Sequence, residues 1–153
     1  MPILGVSYPF TNITLSAPKP PLPAYPEALV TIGDHIRTRR LDLGLLQKEV
    51  AARIGVDADT IMHWELNRRA PKIQYVPKII RFLGYVPFSM GESFPEKLKA
   101  YRMLRGMTQQ ELADALGVVL PTVQTWEAGI HQPMPKMRER VEKILDDVAT
   151  VAT

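Results

Sequence analysis

The chain repeats itself. Shifted by 62 residues, positions 32–71 align with 94–133 without a gap. Eleven of those forty pairs are identical: Arg40/Arg102, Gly44/Gly106, Gln47/Gln109, Glu49/Glu111, Ala51/Ala113, Gly55/Gly117, Val56/Val118, Thr60/Thr122, Trp64/Trp126, Glu65/Glu127 and Pro71/Pro133. Others trade one apolar side chain for another, as in Ile36/Leu98, Val50/Leu112, Ile54/Leu116 and Ile61/Val123. Two copies of one small folding unit explain this most simply. They divide the chain into an arm over 1–30, a first domain over 31–84, a linker over 85–93 and a second domain over 94–149.

Each copy reads as short helices, and no stretch gives strand alternation. In the second, Phe94, Leu98, Tyr101 and Leu104 recur at helical spacing before Gly106, a natural C-cap. Thr108-Gln109-Gln110-Glu111 is a capping box opening the next helix, whose buried face is Leu112, Ala113 and Leu116. Gly117 breaks it. A helix near 120–128 turns Val123 and Trp126 inward, and one near 136–148 carries Val141, Ile144, Leu145 and Val148. The first copy predicts helices near 31–43, 47–54, 58–66 and 74–83, the last delayed to 77 if Pro77 cannot sit inside it. The fold expected is all-α: two tandem domains of four to five helices each.

The arm is different in kind. Seven of the fourteen prolines fall within the first thirty residues, beside two charged residues, Lys19 and Glu27. Proline fixes φ and lacks an amide donor, so Lys19-Pro20-Pro21-Leu22-Pro23 is expected to be extended and the arm disordered. A proline-motif ligand or a DNA-tracking arm is the alternative, although one lysine tracks a phosphate backbone poorly.

Composition excludes several classes. The chain has no cysteine, which removes disulfide frameworks, zinc ribbons and thiol catalysis. Three scattered histidines, His35, His63 and His131, do not suggest a metal site, and no cofactor is expected. No glycine-rich phosphate loop or Ser/His/Asp spacing points to an enzyme. No apolar run is long enough to span a bilayer and no leader peptide is visible, so a cytoplasmic, nucleoid-associated location is expected. The net charge of +3 permits an anionic partner without demanding one.

Gly55-Val56-Asp57 and Gly117-Val118-Val119 each join two short helices by a tight turn. That is a helix-turn-helix, whose second helix can enter the DNA major groove. Ala51 and Ala113 sit where the helices cross and must be small. Val56 and Val118 plug the turn, and Ile61 and Val123 anchor the following helix.

The stretches Ile36–Ala51 and Thr60–Glu65, with their counterparts Arg102–Ala113 and Thr122–Glu127, resemble the phage-repressor, Cro/XRE-type helix-turn-helix family. The resemblance covers nearly everything but the arm. It implies that Gln47 and Gln109 grip DNA phosphates from helix N-termini, with Lys48 and Gln110 beside them. Arg40 with Glu65, and Arg102 with Glu127, match a structural ion pair. Arg68, Arg69 and Lys72 follow the first recognition helix, where family members contact the backbone.

The recognition helices, about 58–66 and 120–128, place Ala58, Asp59, Met62 and His63 in one groove-facing set and Leu120, Pro121, Gln124 and Thr125 in the other. Asp57 also falls there, but reads more simply as a helix N-cap. Gln124 can pair with adenine, while Leu120 and Thr125 can touch thymine methyls. Residues 31–92 carry ten basic and seven acidic residues, a net of +3, whereas 93–153 carry eight of each. If one unit dominates affinity, it is therefore expected to be the first.

The function expected is sequence-preferring binding of double-stranded DNA by a transcriptional regulator. The alternative is a protein-interaction module, antitoxin-like or recombinase-accessory, in which one or both copies no longer bind DNA. Beyond DNA, the partners expected are a second copy of the chain, as a homodimer, or another protein. Fully extended, the eleven residues 84–94 reach about 36 Å, enough for two half-sites one helical turn apart.

Overall fold

The computed structural model describes residues 24–149. Residues 1–23, most of the expected arm, lie outside that range. Residues 24–30 run irregularly beside the first helix, where the Tyr25 hydroxyl donates to Asp42 Oδ1 at 3.2 Å.

The first unit contains α1 (Ile32–Asp42), α2 (Gln47–Ile54), α3 (Ala58–Glu65), a 3-10 turn (Ile73–Tyr75) and α4 (Val76–Leu83). The second contains α5 (Phe94–Arg105), α6 (Gln109–Leu116), α7 (Leu120–Glu127) and α8 (Pro135–Ala149). Among the described residues there is no strand, so the all-α reading holds. Pro77 does not delay α4: it lies in the first turn, where an amide donor is not needed, and the helix starts at Val76.

The ends of these helices follow from local chemistry. Thr31 caps α1 by accepting from the Asp34 N–H, while Asp34 accepts from Thr31 in return. Thr108 and Glu111 make the same reciprocal box on α6. In α2 only half of it exists, since Leu46 has no side-chain acceptor and Glu49 alone reaches back to the Leu46 N–H at 2.7 Å. Gly55 and Gly117 end α2 and α6 with φ of 84° and 70°, a left-handed conformation that a side chain would strain.

Each unit has its own core. Ile36, Val50, Ala51, Ile54, Ile61, Trp64, Ile79 and Leu83 fill the first. Phe94, Leu98, Leu112, Ala113, Leu116, Val123, Trp126, Val141 and Leu145 fill the second. The tryptophans end the two cores against other rings: Trp64 lies 5.7 Å from Tyr75, and Trp126 lies 6.2 Å from Phe94 edge-on. Gly33 lets α1 approach α3, because a Cβ there would fall 1.9 Å from the Trp64 carbonyl oxygen.

The linker is not stretched between separated units. Tyr85 folds back so that its hydroxyl meets His35 Nδ1 at 2.8 Å, and α4 packs against α5. Val76 on α4 and Ala100 on α5 are each 2% exposed yet belong to neither core. They are buried at the seam between the units.

Candidate nucleic-acid interface

In each unit the two helices of the motif pack on each other and present the second outward. Asp57 precedes α3 in extended conformation and accepts from the Thr60 N–H at 2.7 Å. That bond holds its carboxyl below the ordinary carboxylate range. Its counterpart Val119 has no capping side chain, and Pro121 lies in the first turn of α7.

An ion-paired triad anchors the recognition helix. Arg40 donates through Nε to Glu65 Oε1 at 2.6 Å and through Nη2 to Oε2 at 2.7 Å, while its Nη1 reaches the Leu45 carbonyl at 3.2 Å. Gln47 Nε2 then donates to Glu65 Oε2 at 3.0 Å. The second unit repeats every bond: Arg102 to Glu127 at 2.6 and 2.9 Å, Arg102 to the Met107 carbonyl at 3.2 Å, and Gln109 to Glu127 at 2.8 Å. One carboxylate at the end of the recognition helix therefore ties together the first helix and the start of the second. The short, bidentate geometry makes a charge-assisted clamp that fixes the angle of the motif.

The remaining residues singled out by sequence divide by exposure. Lys48, Arg68, Arg69 and Lys72 are exposed around the start of α2 and the loop after α3. Gln110 is exposed and spends its amide on Asp114 Oδ1 at 2.8 Å. On α3, Asp59 is exposed while Ala58, Met62 and His63 are half-buried. On α7, Pro121 and Gln124 are exposed, whereas Leu120 and Thr125 are half-buried. The Thr125 hydroxyl donates to the Thr122 carbonyl of its own helix at 3.0 Å. His63, Arg69 and Lys72 line one polar groove with Asp57 and Thr60.

The sequence of each half matches one family over this same framework. Residues 36–89 and 98–150 both match the helix-turn-helix family, a coverage that includes both triads and both recognition helices. The chain belongs to the helix-turn-helix family, of the Cro/XRE type. As a member of it, the chain is a DNA-binding transcriptional regulator.

Curated relatives of this helix-turn-helix protein fit the same framework. It is 34% identical over 82 residues to the cryptic phage CTXphi transcriptional repressor RstR of Vibrio cholerae, a match spanning 50% of this chain and 73% of that protein. An HTH-type transcriptional regulator of Methanothermobacter thermautotrophicus is 43% identical over 49 residues, 32% of this chain and 71% of the relative. The HTH-type transcriptional regulator YqaE of Bacillus subtilis is 38% identical over 53 residues, 35% of this chain and 46% of its own. No solved structure matches. Among the described residues no group of three or more His, Asp or Glu could hold a metal ion, and no helix is long and apolar enough to cross a membrane.

One residue of the helix-turn-helix framework escaped sequence reasoning. Asn67, just past α3, has φ of 56°, donates to Asp34 Oδ1 at 3.0 Å and accepts from the Thr31 hydroxyl at 2.6 Å. It staples the exit of the recognition helix to the start of α1. Burial pushes the Asp34 carboxyl up, but hydrogen bonds from Asn67, Thr31 and Val30 outweigh it and leave it below the ordinary value. The signal was present: the residue 62 positions on is Gly129, with φ of 69°, and an Asn/Gly exchange marks a left-handed position.

Proposed function

We propose that this regulator binds one double-stranded DNA site through both units, with sequence preference and unequal roles. The first unit supplies most of the backbone affinity through Lys48, Arg68, Arg69 and Lys72. The exposure of Arg68, Arg69 and Lys72 directly beside α3 is the observation that carries this reading. Each such contact releases counterions and adds affinity without regard to sequence.

Gln47 and Gln109 keep one amide hydrogen free after bonding glutamate, and that hydrogen suits a phosphate together with the N–H groups that open α2 and α6. Gln110 contributes a further phosphate contact after releasing Asp114. Base edges meet Ala58, Asp59, Met62 and His63 from α3, and Leu120, Pro121, Gln124 and Thr125 from α7. Gln124 is the most discriminating of these, since an exposed glutamine can bond adenine N6 and N7 together.

A second reading has its own observation. Ile130 and Met134 occupy in the second unit the positions of Arg68 and Lys72, and are 68% and 80% exposed. These apolar side chains suit a protein surface, either a second copy or another regulator.

Selection from random duplexes with the full chain at near-physiological salt tests both. Enrichment of a motif supports DNA readout. Absence of any enrichment, with the chain folded, rejects it in favour of the protein partner.

A further inference from the structure

The seam between the units joins unlike surfaces. On the first unit the patch is Val76 and Pro77 of α4 and the preceding Ile73; on the second it is Ala100 of α5 and Gly106 at its end. Gly106 has φ of 66°, and a Cβ there would lie 2.9 Å from Pro77 Cγ and 3.3 Å from the Ile73 carbonyl oxygen. Arg69 and Pro71, from the loop after α3, share a cavity of about 390 Å³ with Arg102 and Met103 of α5.

The 62-residue shift shows what the mirror-image contact would require. Thr38 and Gly44 on the first unit correspond to Ala100 and Gly106; Arg138 and Glu142 on the second correspond to Val76 and Ile80. No such contact forms. Gly44 has nothing within 4 Å of its would-be Cβ, and α8 makes no contact with α1 comparable to that of α4 with α5 among the described residues. In place of buried Val76, α8 carries an exposed ion pair in which Arg138 Nε lies 2.8 Å from Glu142 Oε1. The core-facing positions of the same helix are nonetheless kept apolar, as Ile79/Val141 and Leu83/Leu145. The two helices share an inner face and differ on the outer one.

A two-fold relation joins identical patches, whereas a head-to-tail relation joins different ones. A palindromic operator mirrors a two-fold arrangement of its readers. Units that dock alike on DNA while touching head-to-tail can only be related by a step along the duplex, which keeps their direction.

We propose that one chain reads its DNA as two subsites in the same direction, not as an inverted repeat. This rests on DNA binding by both units. The two recognition helices differ in sequence, so the natural subsites also differ and conceal their relative direction.

A graft exposes it. Giving α7 the groove-facing residues of α3, by Leu120→Ala, Pro121→Asp, Gln124→Met and Thr125→His in the full chain, makes both units read the same subsite. Selection from random duplexes is then expected to enrich one short motif twice on the same strand. A duplex with the two copies so arranged should bind about tenfold or more tighter than one with the second copy inverted. Inverted copies, or a single copy, overturn the proposal. If that variant does not fold, the reverse graft into α3, by Ala58→Leu, Asp59→Pro, Met62→Gln and His63→Thr, gives the same comparison. Failure of the unaltered chain to enrich any duplex would overturn DNA readout itself, a result distinct from the wrong orientation.

Discussion

Arg40 and Glu65, 25 residues apart in sequence, form a bidentate ion pair in which the arginine side chain is 13% exposed and the glutamate 2%. Arg102 and Glu127 reproduce it at 11% and 6%. Removing one partner leaves a desolvated charge without its counterion. Arg40→Ala or Arg102→Ala should cost about 3–5 kcal/mol of stability, read by urea unfolding. Replacing the whole pair with apolar residues of similar volume should cost much less, because no charge is then stranded. Equal losses from both changes would contradict this view of the clamp.

Gly33→Ala should destabilise the first unit without touching any charge. The added methyl would sit 1.9 Å from the Trp64 carbonyl oxygen, which is backbone and cannot swing aside. Separation of α1 from α3 should cost about 1–3 kcal/mol, in the range of overpacked sites. Thermal unfolding and near-UV dichroism of Trp64 would report it, and an unchanged midpoint would show that the helices part freely.

The repeat made the fold legible. Inward positions such as Ile36/Leu98 and Ile61/Val123 stay apolar in both copies because each copy needs the same core, and glycine takes the positive φ at the ends of α2, α4, α5 and α6, with Asn67 taking it after α3. The seam was not legible in one copy alone. Val76 reads as an ordinary apolar helix position, and only its exchange for exposed Arg138 distinguishes an outer face that is covered from one that is wet. Asn67 was missed for a related reason: its partners, Asp34 and Thr31, are more than thirty residues away, and no local periodicity connects them. In the interface, exposure of Arg68, Arg69 and Lys72 needed the structure, while the order of Gln, Glu, Ala, Gly and Trp-Glu in both halves was plain in the sequence.

Acid should loosen the first unit through Asp34. Its folded pKa is depressed below the ordinary 3.8. The group therefore contributes stability in full above the unfolded value and loses it as pH falls through the folded one. Asp34→Asn should lower the melting temperature at pH 7 but flatten its fall between pH 5 and lower values, measured as melting temperature against pH. Parallel curves for parent and variant would mean that Asp34 is not held as a charged acceptor.

Arg69 and Gln124 should separate affinity from specificity. Arg69→Ala is expected to weaken binding nearly equally on every duplex and to reduce the slope of log K against log salt by about 1. Gln124→Ala should cost about 1–3 kcal/mol on the preferred site alone. Fluorescence anisotropy on a selected and a scrambled duplex distinguishes them. A sequence-selective loss for Arg69→Ala would remove it from the backbone contacts, and a uniform one for Gln124→Ala would remove it from readout.

Joint docking of both units on one duplex is tested most directly by hydroxyl-radical footprinting of the full chain on its selected site, with stoichiometry fixed at one chain per duplex. The expected result is two separate protected patches, one of which weakens with Arg69→Ala and the other with Gln124→Ala. A single patch, unaffected by one of these substitutions, would show that only one helix-turn-helix engages DNA and would contradict the account.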